Sequence, residues 1–280
     1  MPEMPAAAHA PVGIFDSGLG GLSVLRHVRA QLPQEHLAYF ADSAFAPYGG
    51  KPEAAVVERT LAVAALLVAQ QCKALVIACN TATAAAVMAV RERYPLLPVI
   101  GVEPGLKPAA LCSVSRVVGV LATERTLASQ RFQALEAQLA ASTGVRFVAQ
   151  ACTGLADQVE KGALRSPETA ALVQRYVEPL VRQGADTLVL GCTHYPFLLP
   201  MIAASARHAA GRDVQIIDTG EAVARHLKHV LTGHALLRPA DAAPATIQGW
   251  TTGSASTLAN ALVKLLGIEA PVSALAESRD

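Results

Sequence analysis

Short apolar runs alternate with longer Ala- and Leu-rich stretches along most of this chain. The apolar runs are PVGIF, LAYFA, ALVIAC, LPVIGV, RVVGVLA, VRFVAQ, TLVLGC and VQIID. The stretches between them, such as residues 52–70 and 167–182, have helical periodicity with polar faces. Strands that are apolar on both faces and separated by helices are typical of parallel sheets. The sequence therefore predicts an α/β fold in which mainly parallel sheets are flanked by helices.

A faint internal repeat divides the chain into two halves. LVIACNTAT, around Cys79, has a counterpart in LVLGCTHYP, around Cys192, and VGIFDS (residues 12–17) matches VGVLAT (residues 118–123) upstream. The repeat predicts two pseudo-symmetric α/β domains, residues 1–103 with 215–280 and residues 104–214. Because ligands bind at the carboxyl ends of strands in open parallel sheets, we expect an active site in the interdomain cleft, with the two cysteines on opposite sides.

Smaller signals mark the ends of several elements. Residues 17–22 form a glycine-rich turn that opens a helix, and Ser166 with Pro167 is typical of a helix N-terminus. RPADAAPAT (residues 238–246) is interpreted as a linker, followed by a last helix over residues 256–266 and a loose tail of about ten residues.

Composition excludes several classes of protein. The chain has 280 residues, of which 52% are hydrophobic and 16% charged, with a formal net charge of +1. A nucleic-acid-binding protein would usually show a basic stripe, and a disordered chain would be more polar. The most apolar region is interrupted by Gln70, Gln71 and Lys73, so no membrane span is predicted. Five widely spaced cysteines and a start without signal-peptide character predict free thiols in the cytoplasm.

The matched cysteines suggest a reaction. Cys79 and Cys192 are both predicted where a strand ends and a helix begins, a position that lowers the pKa of a thiol. One thiolate could remove a proton from carbon while the opposite thiol returns one to the other face, which inverts the centre. Either cysteine alone would be interpreted as a buried small side chain, but their matched positions favour catalysis. The remaining cysteines, Cys72, Cys112 and Cys152, lack this context and are interpreted as structural.

Polar residues accompany both strand ends. Asp16 and Ser17 precede a glycine-rich turn that could bring N–H groups to an anion, although a plain tight turn is the alternative and the spacing is not G-x-G-x-x-G. FADSAFAPYGGK contains a loop that is either a surface turn or part of the site. Neutral donors suited to carboxylates follow the cysteines, and His194 is placed to assist Cys192. These neutral donors are Asn80, Thr81 and Thr193. Because C-x-x-C and H-x-x-x-H pairs are absent from the sequence, no metal site is predicted.

Together these segments resemble glutamate racemase, a cofactor-independent amino-acid racemase family of bacterial cell-wall synthesis. The matching segments, from Val12 to the final helix, are GIFDSGLGGLSV, PYG, CNTAT, VEP, ATERT, GCTHYPFL and IIDTGEAVA. GCTH favours glutamate, since aspartate racemase-like enzymes tend to have Glu where His194 stands. The resemblance implies interconversion of L- and D-glutamate without a cofactor, supplying D-glutamate for peptidoglycan, in a cytoplasmic homodimer that binds neither nucleic acid nor membrane.

The resemblance also implies roles for individual residues. Cys79 and Cys192 would be the catalytic acid/bases, assisted by Asp16 and His194 respectively. Substrate binding would fall to Asp16, Ser17, Pro47, Tyr48, Gly49, Asn80, Thr81, Thr123, Glu160, Thr193 and His194.

The chain departs from the family pattern at two positions. Phe45 stands where the loop often has Arg, and Thr153 stands where Pro is common. Two other functions stay open: a hydrolase that pairs Cys192 with His194, and a protein that only binds an amino acid. Against the hydrolase, two side chains separated by one residue on a turn are not expected to point at each other.

Overall fold

A computed structural model describes residues 8–239 and 243–275, and the chain divides into two compact units. The first unit comprises residues 8–102 and 220–275, and the second comprises residues 103–219. The strands are β1 Val12–Asp16, β2 Leu37–Ala41, β3 Ala74–Ile77, β4 Val99–Gly101, β5 Val117–Ala122, β6 Arg146–Ala151, β7 Thr187–Gly191, β8 Gln215–Ile217, β9 Ile247–Thr251 and β10 Val272–Ala274.

The described helices alternate with these strands. They are α1 Leu22–Gln31, α2 Glu53–Ala69, α3 Asn80–Arg93, α4 Leu106–Cys112, α5 Glu124–Ala128, α6 Gln130–Thr143, α7 Leu155–Glu160, α8 Pro167–Arg182, α9 Leu199–Ala210, α10 Gly220–Gly233 and α11 Ala255–Ala261. Short 3-10 turns cover Ser43–Phe45, Tyr48–Gly50 and Tyr195–Leu198. None of the helices in the described ranges is long and apolar enough to cross a membrane.

Each unit is built on one parallel sheet. The first sheet has the strand order β10-β9-β2-β1-β3-β4, and the second has the order β6-β5-β7-β8. Adjacent strands in both sheets are parallel. Strands β1, β2, β3 and β7 are buried along their whole length, because helices cover both faces of each sheet. The predicted α/β fold with parallel sheets flanked by helices is therefore confirmed, and each predicted apolar run overlaps one of the strands β1 to β8.

The internal repeat appears in the sheets as a common strand order and register. The order β2-β1-β3-β4 in the first unit corresponds to β6-β5-β7-β8 in the second. Phe15 of β1 lies opposite Ile77, two residues before Cys79. Leu121 of β5 lies opposite Leu190, two residues before Cys192. The two cysteines therefore occupy equivalent strand ends of two similar sheets.

Both boundaries of the second unit and the C-terminal region differ from the sequence prediction. The first segment of the first unit ends at residue 102 rather than at residue 103. Gln215–Ile217 pair with β7, so the second unit runs to Thr219 rather than residue 214. The short strand β9, which contains a glycine, was not predicted, and β10 pairs with it where a loose tail was expected. Residues 276–280 of that tail lie outside the described residues.

The structure can also be compared with the predicted start of α8, the predicted linker and the predicted last helix. Ser166 caps α8 by accepting the Thr169 N–H at 3.1 Å, and Pro167 is the first helical residue, as predicted. The predicted linker lies partly outside the described range, at residues 240–242, but its Arg238 N–H donates to Glu35 at 2.8 Å. The last helix is α11 followed by a π-helical turn, Leu262–Leu266.

A buried carboxylate organises the amino-terminal end of the second sheet. Asp186 accepts hydrogen bonds from the Ser113 hydroxyl at 2.6 Å and from the backbone N–H groups of Val114 and Ser115 at 2.8 and 2.6 Å. Burial raises the pKa of this carboxyl, but hydrogen bonds from Ser113 and Ser115 outweigh burial and hold its pKa below the usual value. The carboxylate thus fixes the loop after α4 to the start of β7.

Asp186→Ala is expected to lower the free energy of unfolding by about 2–4 kcal/mol at pH 7, because hydrogen bonds to a charged group are lost. A carboxyl whose pKa is lowered by folding contributes stability above the unfolded value of about 3.9 and loses it as pH falls through the folded value. The difference between wild type and variant should therefore be constant from pH 7 to about pH 5 and shrink below about pH 4. Urea denaturation at these pH values measures it, and a difference independent of pH would contradict the assignment.

Candidate active site

Cys79 lies at the N-terminus of helix α3, just beyond the carboxyl end of β3. The residue is 5% exposed, and its sulfur accepts the Ala82 N–H at 3.5 Å. The thiol also lies 3.6 Å from the Ser17 hydroxyl, which follows the neighbouring strand β1. The positive end of a helix stabilises negative charge, so this position favours a sulfur that carries charge during a reaction.

Asp16 ends β1 and is completely buried. Its carboxylate accepts the Gly18 N–H at 2.7 Å. A Cβ at Gly21 would lie 2.5 Å from the Cβ of Asp16, so glycine is required for helix α1 to start this close to the strand end. The predicted glycine-rich turn therefore lets the backbone at the start of α1 approach Asp16 closely. Asp16 directly precedes Ser17, whose hydroxyl lies beside the Cys79 thiol.

Asn80 and Thr81 form the first turn of α3 and are both buried. The Asn80 side-chain oxygen has no hydrogen-bond partner within residues 8–239 and 243–275. Buried polar atoms in proteins are nearly always satisfied, so an orphaned acceptor beside Cys79 is a place for a ligand donor.

The predicted substrate loop lies in the same unit. Pro47 follows a cis peptide bond, Tyr48 is buried and Gly49 is half-buried. The Tyr48 ring packs in one apolar cluster with Phe15 and Cys79. Its hydroxyl donates to Asp42 at 2.6 Å. The structure thus brings the loop to the Cys79 half of the site.

In the second unit, three side chains form a chain of contacts that begins at Cys192. The Cys192 sulfur lies 3.5 Å from Nδ1 of His194, and Nε2 of His194 lies 2.6 Å from a Glu160 oxygen. Cys192 and His194 are buried, while Glu160 at the end of α7 is 23% exposed. A carboxylate at Nε2 favours a proton there and leaves Nδ1 to exchange a proton with the thiol.

This geometry corrects one argument made from the sequence. Cys192 and His194 were expected not to point at each other, because only one residue separates them. They do face each other, since a tight turn follows Cys192, with the Tyr195 N–H donating to the Cys192 carbonyl at 3.1 Å. Their separation therefore does not weigh against the hydrolase alternative.

Two threonines complete the second half. Thr193 is buried directly after Cys192. Thr123 occupies the position equivalent to Ser17 and caps α5, with its oxygen accepting the Thr126 N–H at 3.2 Å and its hydroxyl donating to the Thr126 hydroxyl at 2.9 Å. Thr123 thus lies at the predicted strand end, but its hydroxyl proton is already used within the helix cap.

The three other cysteines form a separate group, in which two are buried and one is exposed. Burial raises the pKa of Cys72 to about 12 and that of Cys152 well above its usual range, so both thiols stay protonated. Cys112, at the end of α4, is exposed, unlike the buried residue that a structural role would favour. Over the described ranges, the His, Cys, Asp and Glu side chains form no group of three that could hold a metal.

The sequence and fold were compared with known proteins. A model of the Asp/Glu/hydantoin racemase family matches residues 21–227. The chain is 50% identical over 268 residues to a glutamate racemase from Ectopseudomonas mendocina, covering 95% of this chain and 98% of that protein.

The chain belongs to the Asp/Glu/hydantoin racemase family.

Solved structures from this racemase family have the same fold. A glutamate racemase isoform from Bacillus anthracis superposes with a TM-score of 0.84 at 32% identity, over 96% of this chain and 98% of that one. The Escherichia coli glutamate racemase, in complex with L-glutamate and an activator, superposes with a TM-score of 0.81 at 29% identity, over 95% and 98% of the two chains. The predicted family is confirmed, and with it the class of enzyme, an isomerase.

The departures from the racemase family pattern have local partners. Phe45 lies under the guanidinium of Arg59, whose central carbon is 3.6 Å from the ring centroid. The Thr153 hydroxyl donates to Glu124 at 2.8 Å, and the Thr153 carbonyl accepts the Tyr176 hydroxyl at 2.7 Å. Both positions are thus held by specific contacts.

Sequence reasoning missed two polar residues of this racemase chain. Asp42 directly follows β2, and Asp16 is the last residue of the neighbouring β1, so the strand-end pattern that selected Asp16 could also have selected Asp42. Arg59 lies in the middle of α2 and binds Asp42. No sequence signal marks Arg59, because its role depends on which residues α2 packs against.

Proposed function

We propose that this chain interconverts L- and D-glutamate, with Cys79 and Cys192 as the two acid/bases. The observation that carries the proposal is the equivalence of the two cysteines. Each follows the corresponding strand of a sheet with the same order and register, and each has its own polar partners. Inversion at carbon needs two proton carriers, and this chain provides a matched pair.

The reaction requires one proton to leave and another to arrive. One thiolate takes the α-proton, so the C–H bond breaks, an S–H bond forms and the electron pair stays on the carbon and its carboxylate. The other thiol then gives its proton to the opposite face of that carbon and becomes a thiolate. In the reverse direction the two sulfurs exchange roles. The proposed steps use only side chains and substrate.

The neighbouring residues have distinct parts in this proposal. His194 and Glu160 would accept and stabilise the proton of Cys192, while Asp16 and Ser17 would serve Cys79. The unpaired oxygen of Asn80 suits the substrate ammonium group, because it accepts hydrogen bonds. Thr81, Thr193, the N-terminus of α3 and the Pro47–Gly49 loop would hold the carboxylates, and such preorganised donors are usually the largest catalytic contribution.

Several finer statements remain predictions. The homodimer and the supply of D-glutamate for peptidoglycan follow from the resemblance. The cytoplasmic location follows from the resemblance and from the five widely spaced cysteines. The Escherichia coli glutamate racemase forms a complex with L-glutamate, which supports glutamate as the substrate.

The test is incubation of the protein with L- or D-glutamate in D2O. Deuterium is expected to enter the α-position from either enantiomer as the optical rotation decays to zero, because each turnover replaces the α-proton. Aspartate at the same concentration is the control and is expected to react at least about 100-fold more slowly, since its carboxylates are closer together. A covalent acyl adduct on Cys192 by mass spectrometry would favour the hydrolase, and binding without exchange would favour a binding protein.

A further inference from the structure

Asp42 is a completely buried carboxylate whose two oxygens are both hydrogen-bonded. One oxygen accepts from the Tyr48 hydroxyl at 2.6 Å and from Nε of Arg59 at 3.1 Å. The other accepts from Nη2 of Arg59 at 2.8 Å and from the Thr252 hydroxyl at 3.0 Å. Asp42 therefore connects helix α2, the end of β9 and the loop that contains Tyr48, all within the first unit.

Arg59 supplies the only full charge among these donors. Its fork of N–H groups matches both oxygens of Asp42, the strongest geometry for an arginine and a carboxylate. The same guanidinium covers the ring of Phe45 at 3.6 Å, a distance at which cation–π attraction is strong. The side chain is 19% exposed, so solvent only partly screens these contacts. One side chain thus holds Asp42 and Phe45 together.

Phe45 and Tyr48 lie on either side of Pro47 in the chain. Arg59 holds Phe45 directly and holds Tyr48 through Asp42, so both ends of the intervening segment are fixed. The Thr252 hydroxyl oxygen also accepts the Ala44 N–H at 3.1 Å. The Pro47–Gly49 loop is therefore set in place by the network of Asp42, Arg59 and Thr252.

The hydroxyl of Tyr48 keeps its proton under all working conditions. Burial, with the Asp42 carboxylate, raises its pKa far above the usual value. Tyr48 therefore remains a donor to Asp42, and its ring stays in the cluster with Phe15 and Cys79. A shift of this ring would move the adjoining Gly49 backbone relative to Cys79.

We propose that Arg59 is a positioning residue that aligns the Pro47–Gly49 loop for substrate binding, acting through Asp42 and Phe45. The inference rests on the proposed function, in which this loop binds a substrate carboxylate. The contacts through which Arg59 would act are those with Asp42 and Phe45. Its removal is expected to weaken substrate binding while leaving proton transfer at the thiols largely intact.

The main test replaces Arg59 by methionine, which keeps most of the side-chain volume without the charge. The KM for glutamate is expected to rise about 10- to 100-fold, the range for loss of hydrogen bonds to a charged group, while kcat changes less than about threefold. Arg59→Lys should stay at least about 10-fold above wild type in KM, because an ammonium group cannot bind both oxygens and stack on the ring. Arg225→Met, an exposed residue on α10 of the same unit, is the matched control and should change neither constant.

A second variant tests whether a guanidinium group at position 45 can replace that of Arg59. Because the Phe45 ring contacts the Arg59 guanidinium, Phe45→Arg combined with Arg59→Met places a guanidinium in the same region. We expect this double variant to reverse at least about half of the increase in log KM that Arg59→Met causes. The proposal is overturned if Arg59→Met leaves KM unchanged, or if KM rises in Arg59→Met and the double variant does not lower it.

An activity-independent measurement separates this inference from the proposed function. Hydrogen exchange of the backbone amides of residues 44–50 is followed by mass spectrometry in wild type and Arg59→Met without substrate. Exchange is expected to accelerate about tenfold or more in the variant and to stay unchanged in Arg225→Met. Unchanged exchange, or a loss of kcat and melting temperature without a selective rise in KM, would overturn the positioning role. Absence of deuterium incorporation in the wild type would instead overturn glutamate racemisation.

Discussion

Cys79→Ser and Cys192→Ser are each expected to lower glutamate racemisation by at least about 1,000-fold, near the upper end of what a positioned acid or base contributes. A serine hydroxyl is a far weaker acid than a thiol and hardly forms its anion near neutral pH. Each variant therefore keeps one proton carrier and loses the other. Circular dichroism of the substrate at saturating glutamate measures the loss.

The two variants also carry a stereochemical signature. The remaining thiol can still exchange the α-proton on its own face, so residual deuterium uptake should favour one enantiomer, and the opposite one in the other variant. Cys112→Ser is the control, because Cys112 is exposed at the end of α4 and is expected to leave the rate unchanged. Near-wild-type racemisation in both Cys79→Ser and Cys192→Ser would rule out the two-thiol mechanism.

Glu160→Gln is expected to lower kcat/KM by about 10- to 100-fold, and His194→Asn by about 100-fold or more. The Glu160 carboxylate favours the proton on Nε2 of His194, whereas a glutamine amide can donate to Nε2 and force the proton onto Nδ1. Nδ1 then faces Cys192 as a donor and cannot accept the thiol proton. Glu160→Gln therefore keeps the shape of the site, but His194 is held in a tautomer that cannot accept the proton of Cys192.

Kinetics in both directions test this second prediction. Because the enantiomers have equal free energy, kcat/KM must fall by the same factor for L- and D-glutamate, which provides an internal check. Glu178→Gln is the matched control, since Glu178 pairs with exposed Arg182 one turn along α8. Wild-type constants for both Glu160→Gln and His194→Asn would show that the Cys192, His194 and Glu160 contacts do not serve catalysis.

Much of the fold could be predicted because its signals are local. A buried parallel strand has a short apolar run of residues, whereas a helix has a longer segment with helical periodicity. Strands β1 to β8 could therefore be recognised without tertiary information. Strand β9 was missed because its five residues, IQGWT, include a glutamine and a glycine and do not form an apolar run. Strand β10 was missed because it has only three residues and lies at the edge of the sheet. Their pairing depends on β2, which precedes them by some two hundred residues in the chain.

The α/β alternation, the internal repeat and the pair of cysteines with their polar neighbours can all be recognised from the sequence alone. Each of these is written in consecutive residues, and strand ends are where parallel sheets present side chains to ligands. Three features required the folded structure: the common register of the two repeats, the contacts of His194 with both Cys192 and Glu160, and the binding of Asp42 by Arg59. Glu160 and His194 lie 34 residues apart, and Arg59 and Asp42 lie 17 apart. Contacts between residues this far apart in the chain depend on how the helices pack against the sheet. Local residue patterns do not predict that packing.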